Sequence, residues 1–529
     1  MSKDRASRQG NAILVLVAMV VGVLIGLLFA QSGMLRQGTP TATVLQGKMD
    51  EVLNLVQKEY VEEVDVDSIS EHLLAVMLSE LDPHSSYLTV RESERTEELM
   101  RGNFEGVGLL LRRIGDSTFV EQVLPNGPSK GVGILPGDRI EAVDGISVTG
   151  MPADSVVARM RGPRGTKAHL EVERVDQTMQ FDIRRGVVTQ SSLPYYSMLD
   201  DTTGYIMLSN FTSTSHSEFR SALRQLKEHG MRKLVFDLRG NTGGALGAAT
   251  GIAGEMLPQG SLIVYMQGAH SKRSNYYAHG GGLFTTGKIM VLIDERSASA
   301  SEIVSGALQD NDRATVVGRR SFGKGLVQTD FPLSDGSSVL LTTARYYTPS
   351  GRCIQRPYDE GTDEYYRSYV QQLIDEVYSD TAMASVNDTT PYYTVSGRVV
   401  YGGGGITPDV ILPYRKDPTF VYYNQLASAG LLSRTAFDYV KQHAASLLAR
   451  YPDADDFCSQ FRVSDGMLNE LVAQGEKAGI KKDNRSLQAQ RTLLCTMLKA
   501  YIGQSLYDDG VFYRVYRQVD DDLKSIIRL

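Results

Sequence analysis

A string of alternating small residues, Ser297-Ala298-Ser299-Ala300-Ser301, restricts the fold of this 529-residue chain more than any other feature. Before it, residues 289–293 form an apolar, β-branched run short enough for a buried strand. After it, Glu302 opens a helical pattern through Ile303, Val304, Ala307 and Leu308. A second apolar strand, residues 314–318, then runs into the turn Ser321-Phe322-Gly323-Lys324-Gly325. This order puts a serine at a strand-to-helix junction and returns a lysine at the next strand's exit.

A serine hydroxyl is a poor nucleophile until a base removes its proton. Lysine can serve when desolvation holds it neutral, and Phe322, Leu326 and Val327 offer Lys324 an apolar setting. The N-terminus of a helix over 300–311 would present free N–H groups suited to an oxyanion. Two plainer patterns share these residues. Ser299-Ala300-Ser301-Glu302 fits S-x-x-E, a capping box. Residues 318–324 fit the first seven positions of a phosphate-binding loop, but Gly325 stands where a hydroxyl is needed. The next stretch reads as two strands around Ser334-Asp335-Gly336 rather than as a helix, so that pattern fails on context.

The block SASASEIVSGALQDNDRATVVGRRSFGKGLVQ resembles the active-site block of the carboxyl-terminal processing peptidases, or tail-specific proteases. The resemblance implies Ser299 as nucleophile, Lys324 as general base and Gln328 as the residue that orients the lysine. It also implies an oxyanion hole from Asp237-Leu-Arg-Gly-Asn-Thr-Gly243-Gly244, through Gly243 or Gly244, together with Ala300. The stretch LDPHSSYLT (81–89) resembles the family's join between a helical arm and the next domain; His84 reads as a loop histidine bonded locally. Residues 342–355 and 401–409 continue the likeness.

Residues 101–187 resemble a PDZ domain. Gly106, Val107, Gly108 and Leu109 resemble its carboxylate-binding loop, and residues 153–161 read as the helix on the groove's other side. A strand edge and a nest of N–H groups can capture a peptide's C-terminus. Leu110, Leu111 and Val156 are expected beside Leu109 in that pocket.

Residues 12–30 are uncharged and largely apolar, close to the length that spans a bilayer, with Lys3, Arg5 and Arg8 before them. Their length and the poor cleavage site at 28–30 favour an uncleaved anchor over a signal peptide. Net charge of −7 argues against nucleic acid as a partner. Cys353, Cys458 and Cys495 have neither metal-ligand nor disulfide-framework spacing, and no cofactor or metal is expected.

The expected fold is multidomain α/β. A cytoplasmic 1–11 leads to the transmembrane anchor 12–30, a helical region 44–100 and the PDZ domain 101–187. A catalytic domain over 188–415 follows, which the resemblance implies to be a crotonase-like or Clp-protease-like α/β spiral, with a helical extension over 420–529. Within it, 359–397 reads as an acidic, Tyr-rich insertion forming a surface helix and loop. The ordinary reading of the extension is a packed helical appendage, with a homo-oligomer contact or a gate as the alternatives. The expected function is a serine endopeptidase anchored in a bacterial inner membrane and facing the periplasm or exterior. Its substrates would be proteins and peptides read through their C-termini. A non-catalytic PDZ binding protein and a crotonase-type acyl-CoA enzyme are the alternatives.

Overall fold

The structure, a computed structural model, describes residues 40–378, 390–414 and 416–527. The expected anchor at 12–30, the cytoplasmic 1–11 and residues 379–389 of the insertion lie outside the described residues. Among the described residues no helix is long and apolar enough to cross a membrane. The chain separates into a unit ending at Met77 and one running from Leu78 onward. In the first, helix Pro40–Glu59 precedes the start of helix Val66–Ser79, in line with the helical spacing of the sequence and its acidic turn.

A six-stranded sheet forms the centre of the larger unit. Its order is Tyr195–Met198, Thr203–Met207, Lys233–Asp237, Lys288–Ile293, Thr315–Gly318, Val410–Ile411. Only the first pair is antiparallel. Parallel strands are covered on both faces, which explains why KLVFD and KIMVLI read as unbroken apolar runs. Leu234, Phe236, Ile289, Val291 and Ile293 point to one side, into a core shared with Ile252, Val304 and Leu308. Val235, Met290, Leu292 and Val317 point to the other, against Leu523 and Ile526 of the final helix Asp521–Ile527. Three loops leave the carboxyl ends of adjacent strands: a glycine turn after Asp237, a serine turn after Ile293 and a lysine turn after Gly318. Ligands of parallel sheets gather at that end.

The two strands expected after the lysine turn are Leu326–Pro332 and Ser338–Tyr347, paired antiparallel in a second, five-stranded sheet. A further antiparallel sheet follows the order Leu109–Ile114, Ser117–Val123, Arg139–Val143, Lys167–Arg174, Gln177–Arg184, with helix Ala153–Met160 against it. The C-terminal residues are helical from Phe420–Ser428 to Asp521–Ile527, as their spacing predicts, around Leu426, Val440, Leu471 and Leu498. They also pack on the third sheet: Phe437 meets Phe119 edge-on at 6.3 Å, and Gln122 Nε2 donates to Gln504 O at 2.9 Å.

The insertion differs in part from a surface helix. Its helix Thr362–Tyr378 exposes Tyr366, Val370 and Ile374 but buries Tyr365. The ring of Tyr369 packs on Phe322 at 4.9 Å, two residues before Lys324.

Helix Ala300–Asp310 is buried along its whole length and is held at its C-terminal end by an ion pair without exposure, Arg352 Nη2 to Asp310 Oδ1 at 2.7 Å. Arg352 also donates to Gln309 Oε1 and Tyr401 O. Removing one partner strands the other charge, so Arg352→Leu should destabilise the fold by about 3–5 kcal/mol. A lower midpoint in urea unfolding checks this, and an unchanged midpoint contradicts it.

Candidate active site

Every residue in helix Ala300–Asp310 is buried, so a charged side chain there must find partners inside the protein. Glu302, without exposure, finds four. Its Oε2 accepts from Ser299 N at 2.8 Å and Lys324 N at 2.9 Å. Its Oε1 accepts from Ser321 Oγ at 2.6 Å and Gly323 N at 2.7 Å. One carboxylate thus ties the serine turn to the lysine turn. Burial pushes its pKa up to about 7, against the pull of these four donors. The Glu302 half of the capping box read from the sequence, its bond from Ser299 N, is present and is also part of the site.

Tyr346 makes a second tie. Its hydroxyl lies 2.5 Å from Lys324 O and 3.1 Å from Ser299 O. Ser299 itself has φ +52° and ψ −110°, a strained conformation for a residue with a Cβ. Such a strand-to-helix turn thrusts a hydroxyl out of the backbone. The three serines separate clearly. Ser297 is buried with Oγ donating to Leu238 O at 2.8 Å, and Ser301 is buried with Oγ donating to Asn241 O at 2.8 Å. Ser299 lines an open cleft of about 550 Å³.

That cleft brings together Ser299, Ala300, Lys324, Gln328, Gly243 and Gly244. Lys324 is half-buried, and desolvation holds its pKa below the ordinary lysine value while Glu302 and Asp82 pull it upward. Gln328 Nε2 donates to Thr342 Oγ1 at 3.2 Å, which orients the amide from the neighbouring strand. Gly243, at φ +106°, passes so near the serine turn that a Cβ would lie 2.9 Å from Ser299 Cβ and 3.0 Å from Ala300 N. Its own N–H already donates to Asn241 Oδ1 at 2.9 Å. At Gly244, the flanking bonds Phe211 N to Gly243 O and Ala245 N to Phe211 O turn the Gly244 N–H away from Phe211. Of the two glycines the sequence offers, Gly243 thus has its N–H engaged within the turn.

A second groove, of about 420 Å³, contains Gly106, Val107, Gly108 and Leu109 and runs between strand Leu109–Ile114 and helix Ala153–Met160. Gly108 lies against Gly127, where a Cβ would come within 2.6 Å of its Cα. Leu110 and Leu111 line it as expected. Val156 does not: it is wholly buried in the domain core, and Val157, one helical step of ~100° away, faces the groove instead. Leu99 and Asn210 border both this groove and the serine cleft.

The sequence had suggested no tie from Glu302 to the lysine turn, because the two are 22 positions apart. Its signal was the one acid among the small and apolar residues 300–308. Tyr346 and Asn241 carried none. The loop position of His84 predicts local bonding, and its backbone N–H donates to Asp82 Oδ1 at 2.8 Å. Its ring also reaches Tyr365 OH at 3.1 Å, and burial beside Lys324 lowers its pKa to about 4.

Models of known families match this chain in three places. Peptidase family S41 matches residues 202–364, a PDZ domain 119–174, and a family of unknown function 422–508. A carboxy-terminal-processing protease of Bartonella bacilliformis is 34% identical over 58% of this chain and 72% of that protein. A carboxyl-terminal-processing protease of Synechocystis is 36% identical over 59% of this chain and 76% of that protein. Among solved structures, the photosystem II D1 C-terminal processing protease is 26% identical, covers 68% of this chain and 85% of its own, and has a TM-score of 0.35. This chain belongs to peptidase family S41: it is a serine protease of the carboxy-terminal processing type, with a PDZ domain.

Proposed function

We propose that the enzyme is a membrane-anchored endopeptidase that works through a Ser299–Lys324 dyad and reads substrate C-termini in its PDZ groove. The observation that carries this reading is the cleft that Ser299 and Lys324 both line, while the two neighbouring serines, Ser297 and Ser301, are buried. Neutral Lys324 takes the proton as Ser299 Oγ attacks the scissile carbonyl, and Gln328 orients the lysine. The N–H groups of Gly244 and Ala300 hold the oxyanion, and Gly243 lets that turn approach Ser299. The lysine gives its proton to the leaving amine, and water then hydrolyses the acyl-enzyme. Gly106, Val107, Gly108 and Leu109 receive the substrate's terminal carboxylate. Domain limits at 101–187, 188–415 and 420–529, and the crotonase-like spiral, belong to this reading. So does insertion through 12–30 in a bacterial inner membrane with the cleft outside, which the apolar run and its basic flank support.

The direct test is substitution. Ser299→Ala should abolish cleavage, whereas Ser297→Ala and Ser301→Ala should keep measurable activity. An active Ser299→Ala enzyme would falsify the mechanism.

Because the base works deprotonated, kcat/KM should rise with pH and level off. Desolvation of Lys324 lowers its pKa, so the rise should be centred below the free-lysine value of about 10.4. Lys324→Arg should be inactive, since arginine stays protonated. Near-normal rates in that variant would leave the residue only a structural role.

Tail reading is tested by amidating a peptide's C-terminus, which removes a charge and an acceptor. Losing a charge-assisted hydrogen bond costs about 1.5–3 kcal/mol, so affinity should drop roughly ten- to hundredfold. Equal cleavage of acid and amide forms would contradict it.

A further inference from the structure

The C-terminal helices lie beyond the residues that match the peptidase model, yet the start of the last helix reaches the strand ends that carry the site. Arg239 sits between strand Lys233–Asp237 and the glycine turn. Its guanidinium bonds Asp237 Oδ2 at 2.6 Å and Asp520 at 2.6 and 3.1 Å. Arg319 sits between strand Thr315–Gly318 and the lysine turn. It bonds Glu295 of the serine turn at 3.0 Å and Asp522 at 3.1 Å. Asp522 also lies 3.4 Å from Arg239, so the two acids and two arginines form one chain of charge. Asp237 and Asp520 are 0% and 4% exposed, and Asp520 Oδ1 also accepts the Leu523 N–H at the start of the last helix.

The contacts continue from these roots to the reacting groups. Gly240 N, next to Arg239, donates to Asp294 Oδ1 at 2.9 Å, and Ala298 N donates to Asn241 O at 3.0 Å. The glycine and serine turns are therefore one bonded unit, and the arginine clip grips it from below. Leu523 and Ile526 already dock the helix on the sheet through apolar burial. Buried ion pairs add little net stability compared with apolar packing, and their best-attested use is to specify one arrangement.

We propose that Asp520 and Asp522 are positioning residues for proteolysis: an acidic clip that sets, through Arg239 and Arg319, the placement of the glycine and lysine turns about Ser299. This gives the C-terminal helical module a role in the chemistry, and it rests on the Ser299–Lys324 reading.

The test uses the full-length Asp520→Asn/Asp522→Asn enzyme beside the parent and Ser299→Ala. A short C-terminally amidated peptide keeps the PDZ groove out of the assay, and a fluorophosphonate reports the reactivity of Ser299. Misplaced turns should lower kcat at least about tenfold with KM nearly unchanged, and slow fluorophosphonate labelling in parallel. Asp522→Glu should recover much of the rate, which loss of packing alone would not predict. A folded double variant with parental kcat and labelling rate overturns the proposal. If the double variant does not fold, Asp522→Asn carries the test, because Asp522 is 27% exposed and the less buried of the two. A several-fold drop in kcat supports the clip and an unchanged kcat overturns it. An active or labelled Ser299→Ala enzyme would instead indict the dyad and leave the clip's failure distinguishable.

Discussion

The site depends on one buried carboxylate. Glu302 receives two donors on each oxygen, and those donors come from the serine turn and from a turn about twenty residues further on. Neither turn is held by regular secondary structure, so neither has a ladder to fix it. A charge inside a sheet-and-helix core is tolerable only when its lone pairs are occupied. Here the requirement works in both directions: the turns satisfy the acid, and the acid fixes the turns. Tyr346 repeats the tie from below, through the carbonyls of Ser299 and Lys324.

Around that tie the architecture places reacting groups at strand ends. Three adjacent parallel strands deliver the glycine, serine and lysine turns to one edge of the sheet. The strain at Ser299 is bearable because the rest of the turn is over-determined: Ser297 and Ser301 are anchored to the glycine turn and Ala300 begins a wholly buried helix. The neighbouring helix Thr362–Tyr378 adds a dry wall. Tyr365 and Tyr369 pack edge-on about Phe322 beside the lysine turn, consistent with the desolvation that lowers the pKa of Lys324.

Much of this was legible in the sequence because it is local. Buried strands betray themselves as apolar runs, as in KIMVLI, and the helix after Ser299 keeps a 3.6-residue rhythm. The motif around Ser299, Lys324 and the paired glycines located the cleft. What could not be read was set by tertiary contact. Nothing local says that Glu302 reaches Lys324, that Asn241 occupies the Gly243 N–H, or that Val156 rather than Val157 turns into the core. The insertion was acidic and Tyr-rich and so read as surface, but Tyr365 is drawn inward by the ring of Phe322. The C-terminal helices were legible as helices, while their grip on Arg239 and Arg319 spans some 200–280 positions.

The carboxylate's role can be tested by Glu302→Gln, which keeps the side chain's shape but replaces one accepting oxygen with a donor. Two of the four donors then lose their acceptor, at about 1–3 kcal/mol each. The variant should fold with a lowered melting temperature, and Ser299 labelling by a fluorophosphonate should slow at least about tenfold. Labelling at the parental rate, with the melting temperature unchanged, would show that the two turns hold their places without the acid and would contradict that role.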